Sequence, residues 1–83
     1  MLGADGSGGE LLNIPAGGSR TPPTADTVAR HMHFMKMNGR EVFKFAVRVI
    51  GTATEEALHK AGLAKEDIDL LVPHQANIRI IQS

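Results

Sequence analysis

Between Asn38 and Gly62 the chain carries the pattern of a long amphipathic helix, and that helix is too apolar for its surroundings. Phe43, Ala46, Val47, Ile50, Ala53, Ala57, Leu58 and Ala61 recur at three- and four-residue steps. That spacing draws one stripe along a 3.6-residue helix. Glu41, Lys44, Arg48, Thr52, Glu55 and His59 form the opposite stripe. Asn38 and Gly39 offer N-cap chemistry, Glu41 meets the positive end of the helix dipole, and Gly62 supplies a stop after Lys60. From Val42 to Ile50, however, seven of nine residues are apolar. A helix apolar nearly all round belongs inside a larger protein. The remainder of the 83 residues offers one or two short strands to cover it. The chain therefore reads as a piece, incomplete as an independent domain.

The stretch before the helix is turn-rich. Residues 1–9 hold four of the nine glycines, and Glu10-Leu11-Leu12-Asn13-Ile14-Pro15 is a short candidate strand closed by Pro15 and Gly17-Gly18. Gly17-Gly18-Ser19-Arg20 lacks the Gly-Lys-Ser/Thr ending of a phosphate loop and reads as a turn. Residues 19–33 form a polar connector with one helical turn expected around Ala25–Arg30, capped by Thr24. His31 and His33 lie two apart with no carboxylate or cysteine nearby, which leaves a metal short of its ligands. No metal site is expected.

Nine basic residues balance nine acidic ones, so no net field draws the chain to nucleic acid or an anionic membrane. Cysteine is absent, which removes disulfides, thiolate metal sites and a cysteine nucleophile from these residues. No apolar run approaches the ~20 residues of a membrane span. Met1-Leu2-Gly3-Ala4-Asp5-Gly6 has no basic or apolar leader region, so the cytoplasm is the expected compartment.

After the helix, Leu63-Ala64-Lys65-Glu66-Asp67 makes a turn and Ile68-Asp69-Leu70-Leu71-Val72 reads as a strand. Helix, turn and apolar strand are half of a βαβ unit, which makes the fold class α/β. The apolar run stops at Pro73, and His74, Gln75, Asn77 and Arg79 follow at once. Open α/β sheets present hydrogen-bonding groups at strand ends in this way. Asn77 to Ser83 reads as the opening turns of another helix.

Two strings resemble the 3-oxoacyl-(acyl-carrier-protein) synthase III family. They are Met37-Asn38-Gly39-Arg40-Glu41-Val42-Phe43-Lys44-Phe45-Ala46-Val47 and Val72-Pro73-His74-Gln75-Ala76-Asn77-Ile78-Arg79-Ile80, in the family's order. Asp5-Gly6-Ser7-Gly8 and Ile14-Pro15-Ala16-Gly17-Gly18 are similar to the variable segment that precedes the first string. The resemblance implies a partial thiolase-like fold. Residues 1–36 would be the glycine-rich strand and loop end of the first half, with a connector. Residues 37–83 would open the second half with a helix, a strand and a helix stub.

The family condenses a short acyl-CoA with malonyl-acyl-carrier protein. A cysteine takes the acyl group, malonyl-carrier protein loses carbon dioxide, and the enolate attacks the acyl-cysteine. Negative charge growing on the thioester oxygen calls for preorganised donors, each often worth several kcal/mol. By resemblance His74 is one of those donors, its ring donating from one nitrogen while a neighbouring backbone group fixes the tautomer. Gln75, Ala76, Asn77, Ile78 and Arg79 match the carrier-protein-binding segment, and Lys44 matches a basic residue with a similar task. Arg79 would pair with the carboxylates of an acidic carrier protein or with the phosphate of its phosphopantetheine. Met37, Gly39, Phe43, Ala76 and Asn77 match the pantetheine tunnel. No cofactor is implied beyond coenzyme A as part of the substrate and phosphopantetheine on the partner. A homodimer is implied for the complete enzyme.

The departures are as informative. The family's nucleophilic cysteine lies upstream of the first string, and its catalytic asparagine lies in a later His-Gly-Asn segment; Asn77 is not that residue. One of three catalytic positions is present, so condensation by this polypeptide alone is not expected. A non-catalytic carrier-protein-binding module and a structural remnant are the alternative readings.

Overall fold

The computed structural model describes all of residues 1–83. It divides into two compact units, Ala4–Val42 and Phe43–Ser83, with Met1–Gly3 joining the second.

The first unit is built on a two-residue antiparallel ladder. Strand β1 (Leu12–Asn13) pairs with β2 (Lys36–Met37), Leu12 opposite Met37 and Asn13 opposite Lys36. The ladder is continued by Asn38 N–H, which donates to the Leu11 carbonyl at 2.7 Å. β1 falls inside the expected strand, while β2 lies in a stretch with no strand pattern of its own. Helix α1 (Ala25–Ala29) begins where Thr24 predicts. Thr24 Oγ1 accepts from Thr27 N–H at 3.1 Å, and Thr27 Oγ1 accepts from Thr24 N–H at 2.9 Å. This reciprocal box buries Thr27. The chain then turns at His31, whose φ of 54° is left-handed. Ala16, the single buried apolar residue, donates its N–H to the Met32 carbonyl at 2.9 Å.

Helix α2 (Gly39–Ala61) is the long element. Asn38 Oδ1 accepts from Glu41 N–H at 3.2 Å, the expected N-cap. At the other end Gly62 takes φ +69°. Its N–H donates to the His59 carbonyl at 3.1 Å, and Leu63 N–H donates to the Leu58 carbonyl at 3.0 Å. Those two bonds are a Schellman closure, which needs a left-handed residue and so favours glycine. Thr52 and Thr54, inside the helix, turn their hydroxyls back onto the Arg48 and Ile50 carbonyls.

In the second unit the helix has little to lean on. No residue of α2 is buried. Phe43, Ala46, Val47, Ala53 and Leu58 are half-covered, following the predicted stripe, but Ile50, Ala57 and Ala61 of that stripe are exposed. Phe45 and Val49 are exposed too. After α2, Asp67 Oδ2 accepts from Ala64 N–H at 2.8 Å and Lys65 Nζ reaches Glu55 at 2.6 Å. The strand expected over Ile68–Val72 is not formed. Ile68 is extended (φ −87°, ψ 121°), yet the segment has no ladder partner, and Leu70 is 78% and Val72 71% exposed. A strand exists by its neighbour, and these residues supply none for it. The closing helix, α3 (Ile78–Ile81), is one turn long.

The surface area reports the same deficit without reference to how the units are arranged. The chain exposes 7101 Å². Two separate compact bodies of half its size each would expose only about 5,800 Å² by the scaling of surface with mass. The large apolar side chains carry no fully buried member.

Candidate functional site

His74 stands where the apolar run ends, with Pro73 half-covered before it and a turn at Gln75–Ala76 after it. Pro73 fixes its own φ, which constrains the approach to His74. The His74 ring is exposed and makes no hydrogen bond within the chain. The backbone contact expected to set its tautomer is therefore absent from these residues.

An apolar groove of about 520 Å³ lies beside it. Ala46, Ile50 and Ala53 of α2 form one wall, Leu71, Pro73, His74, Ala76 and Asn77 a second, and Ile80 and Ile81 of α3 the third. Of the expected site residues, the structure brings His74, Ala76 and Asn77 together here. Ile50, Leu71, Ile80 and Ile81 were not foreseen as its lining; their signal was the helical register of α2 and the Ile-rich end of the chain.

The other expected residues fall around this unit or outside it. Phe43 and Lys44 lie near the start of α2, Phe43 half-covered and Lys44 exposed. Gln75, Ile78 and Arg79 are exposed, and the Arg79 guanidinium has no partner in the chain. Met37 and Gly39 belong to the Ala4–Val42 unit, where a Cβ on Gly39 would stand 3.9 Å from Met37 Cε. Asn77 has a definite local task. Its Oδ1 accepts from Arg79 N–H at 2.9 Å and caps α3.

An exposed ion pair joins α2 to the turn that follows it. Hydrogen bonding to Lys65, reinforced by that ammonium's charge, holds the Glu55 carboxyl below the usual carboxylate range. The same bond raises Lys65. Both groups are exposed, so their pair is a surface clasp between α2 and the following turn. His31 stacks on Phe34 at 4.8 Å with planes 2° apart, and His33 meets the same ring edge-on at 4.6 Å. This small aromatic cluster was read from sequence only as two surface histidines. No group of three or more His, Asp or Glu side chains is placed to hold a metal. No helix is long and apolar enough to cross a membrane.

With this geometry in hand, comparison with known proteins is specific. Residues 58–83 match the family described as 3-oxoacyl-[acyl-carrier-protein] synthase III C terminal. The chain is 66% identical over 82 residues to the beta-ketoacyl-[acyl-carrier-protein] synthase III of Natranaerobius thermophilus, covering 99% of this chain and 25% of that one. It is 60% identical over 83 residues to the synthase III of Symbiobacterium thermophilum, again 25% of that protein. A crystal structure of a 3-oxoacyl-(acyl-carrier-protein) synthase III superposes with a TM-score of 0.86 at 34% identity, covering 96% of this chain and 26% of that chain. The synthase III of Thermus thermophilus superposes at 0.73 with 50% identity, covering 99% and 24%. The chain thus spans about a quarter of the length of the relatives it matches. Over that quarter its fold is a partial thiolase-like α/β fold, and by sequence and by structure the chain is similar to a segment of the 3-oxoacyl-(acyl-carrier-protein) synthase III proteins.

Proposed function

We propose that these residues are the histidine-bearing part of an enzyme that joins a short acyl-CoA to malonyl-acyl-carrier protein by decarboxylative condensation, opening fatty-acid synthesis in the cytoplasm. The observation that carries this reading is the 66% identity to a beta-ketoacyl-[acyl-carrier-protein] synthase III over 82 residues that include His74. His74 donates to the thioester oxygen as charge gathers there, and Arg79 with Lys44 receives the acidic carrier protein. Gln75, Ala76, Asn77 and Ile78 form the rest of the docking segment. Met37, Gly39, Phe43, Ala76 and Asn77 line the path of the pantetheine arm. The complete enzyme works as a homodimer.

Alone, the 83 residues do not condense. They contain no cysteine to carry the acyl group, and nothing orients the His74 ring. The absence of a nucleophile is what favours the second reading, a carrier-protein-binding module without chemistry.

A chimera tests the first reading. The 83 residues replace their counterpart in the Natranaerobius thermophilus relative, and condensation of acetyl-CoA with malonyl-acyl-carrier protein is measured. We expect activity within about tenfold of the parent, and a loss of about 10²–10³-fold with His74→Ala, the size seen when one oxyanion donor is removed. A folded chimera whose activity is indifferent to His74→Ala refutes the catalytic assignment.

A further inference from the structure

We infer that Asn38 is a positioning residue for the pantetheine path, acting through Met37 and Gly39 on either side of it by fixing their backbone from two directions. Three bonds converge on it. Its N–H donates to the Leu11 carbonyl at 2.7 Å, one step beyond the pair that Met37 makes with Leu12 in the β1–β2 ladder. Its carbonyl accepts from Val42 N–H at 3.0 Å, the opening bond of α2. Its side-chain Oδ1 accepts from Glu41 N–H at 3.2 Å. The first bond ends a strand, and the other two begin a helix of 23 residues. An ordinary cap orders the helix that follows it; here the chain entering the cap is held as well.

Backbone is what counts at this place. Gly39 has no side chain, so the wall it offers is its own backbone, and no rotamer stands between Asn38 and that wall. Nothing inside the chain requires glycine there. Its φ is not left-handed, and a Cβ would stand 3.9 Å from Met37 Cε, an ordinary contact. Glycine is also a poor helix former, and Gly39 opens the long helix. What the missing side chain leaves is bare backbone beside the Met37 methyl, which an extended amide chain such as the pantetheine arm can approach closely. Met37 is held from the other side, paired with Leu12. Without the Asn38 cap the first turn of α2 frays, and Gly39 moves relative to Met37.

This inference rests on the condensing reading above, and the experiment separates the two. Coenzyme A and the carrier protein present the same pantetheine arm, whereas acetyl-N-acetylcysteamine is an acyl donor that lacks most of it. In the chimera, kcat and KM are measured with acetyl-CoA and with acetyl-N-acetylcysteamine, and exchange of the Glu41 amide is followed by mass spectrometry. The variants are Asn38→Ala, Asn38→Ser and Thr24→Ala, the last removing a cap of the same kind from α1. For Asn38→Ala we expect kcat/KM with acetyl-CoA to fall about fivefold, carried by KM, and the Glu41 amide to exchange about fivefold faster. The truncated donor should be used within about twofold of wild type, since it does not reach the wall that moves. Serine is a good N-cap, so Asn38→Ser should restore both readouts to within about twofold. Thr24→Ala should leave both donors unaffected. Equal losses for the two donors, a Thr24→Ala that matches Asn38→Ala, or an unchanged Glu41 amide in Asn38→Ala overturns the proposal. A chimera that uses neither donor while the Glu41 amide responds as expected refutes the condensing reading, and the hold of Asn38 on its neighbours stands.

Discussion

A glycine inside α2 and the glycine that closes it should respond to the same substitution with opposite signs. Gly51 lies inside α2, and a Cβ built on it meets nothing within 4 Å. Its backbone is helical, so alanine there removes the conformational freedom of the unfolded chain at no steric cost. The gain is about 0.8–1.0 kcal/mol, the glycine-to-alanine difference in helix interiors. Gly62 also has open space around its Cβ, but its φ is +69°. An L-residue held there suffers a clash between Cβ and its own carbonyl, costing about 1–2 kcal/mol. Empty surroundings therefore predict the same result at both sites, and backbone conformation predicts opposite ones. The residues are eleven apart, about 16 Å along a helix, and share no partner, so the double variant should return near wild type. Urea melts followed by circular dichroism at 222 nm read the outcome: the midpoint rises for Gly51→Ala and falls for Gly62→Ala. If Gly62→Ala proves neutral or stabilising, the left-handed closure is not held in solution. The route by which the chain leaves α2 toward His74 would then be different from the one described.

Other perturbations test the remaining contacts. Thr24→Ala should cost the first turn of α1 about 1 kcal/mol, seen as faster exchange of the Thr27 amide, while Thr24→Ser keeps it. The Glu55–Lys65 clasp should be pH-bounded on both sides. With Glu55 depressed, its contribution is full above the ordinary carboxylate range and is lost as pH falls through the lowered value; with Lys65 raised, it is full below the ordinary lysine value and is lost as pH climbs through the raised one. A carbon NMR titration of Glu55 that shows the same midpoint in wild type and Lys65→Ala contradicts this. Exposed Phe45 and Val49 should drive self-association of the 83-residue chain, so Phe45→Lys/Val49→Lys should weaken it at least about tenfold by sedimentation. A wild-type chain that sediments as one copy at all concentrations rules that out.

What was legible in the sequence was local. Asn38, Glu41 and Gly62 bracket α2 because caps act on groups within one turn, and the same is true of Thr24 at α1. The β1–β2 pairing was not legible, since Lys36-Met37 has no alternation and owes its strand to a partner more than twenty residues away. The Glu55–Lys65 bond likewise spans ten residues and a helix end. The missing strand at Ile68–Val72 is the converse case. Its apolar composition fits a covered strand, but composition states what a segment can pair with and not whether the partner is present. At the site, His74 is marked by its neighbours Pro73, Gln75, Ala76 and Asn77 through resemblance, whereas the groove walls come from register. The capping bond of Asn77 could have been read from an Asn preceding Ile-Arg-Ile-Ile.

These absences share one physical root, and it bears on chemistry. An oxyanion donor lowers a barrier only when its orientation is set before charge develops, because a donor that must first be ordered spends its interaction on ordering. In these residues His74 has an open ring, α2 has no buried face, and the run leading to His74 has no ladder. The last two govern the first. A neighbour strand along Ile68–Val72 would fix Pro73 and so the direction in which His74 leaves the backbone. Filling the groove between Ile50 and Ile80 would then restrict the ring, which lines it. By contrast, Asn77 already holds Arg79 within the chain. On the function proposed above, the start of α3 is ordered locally by one side-chain cap, while the histidine that would do the chemistry requires layers on both sides of α2. Binding should accordingly survive in conditions where condensation does not, and a variant of the chimera that loosens the covering of α2 should lose kcat before it loses affinity for the carrier protein.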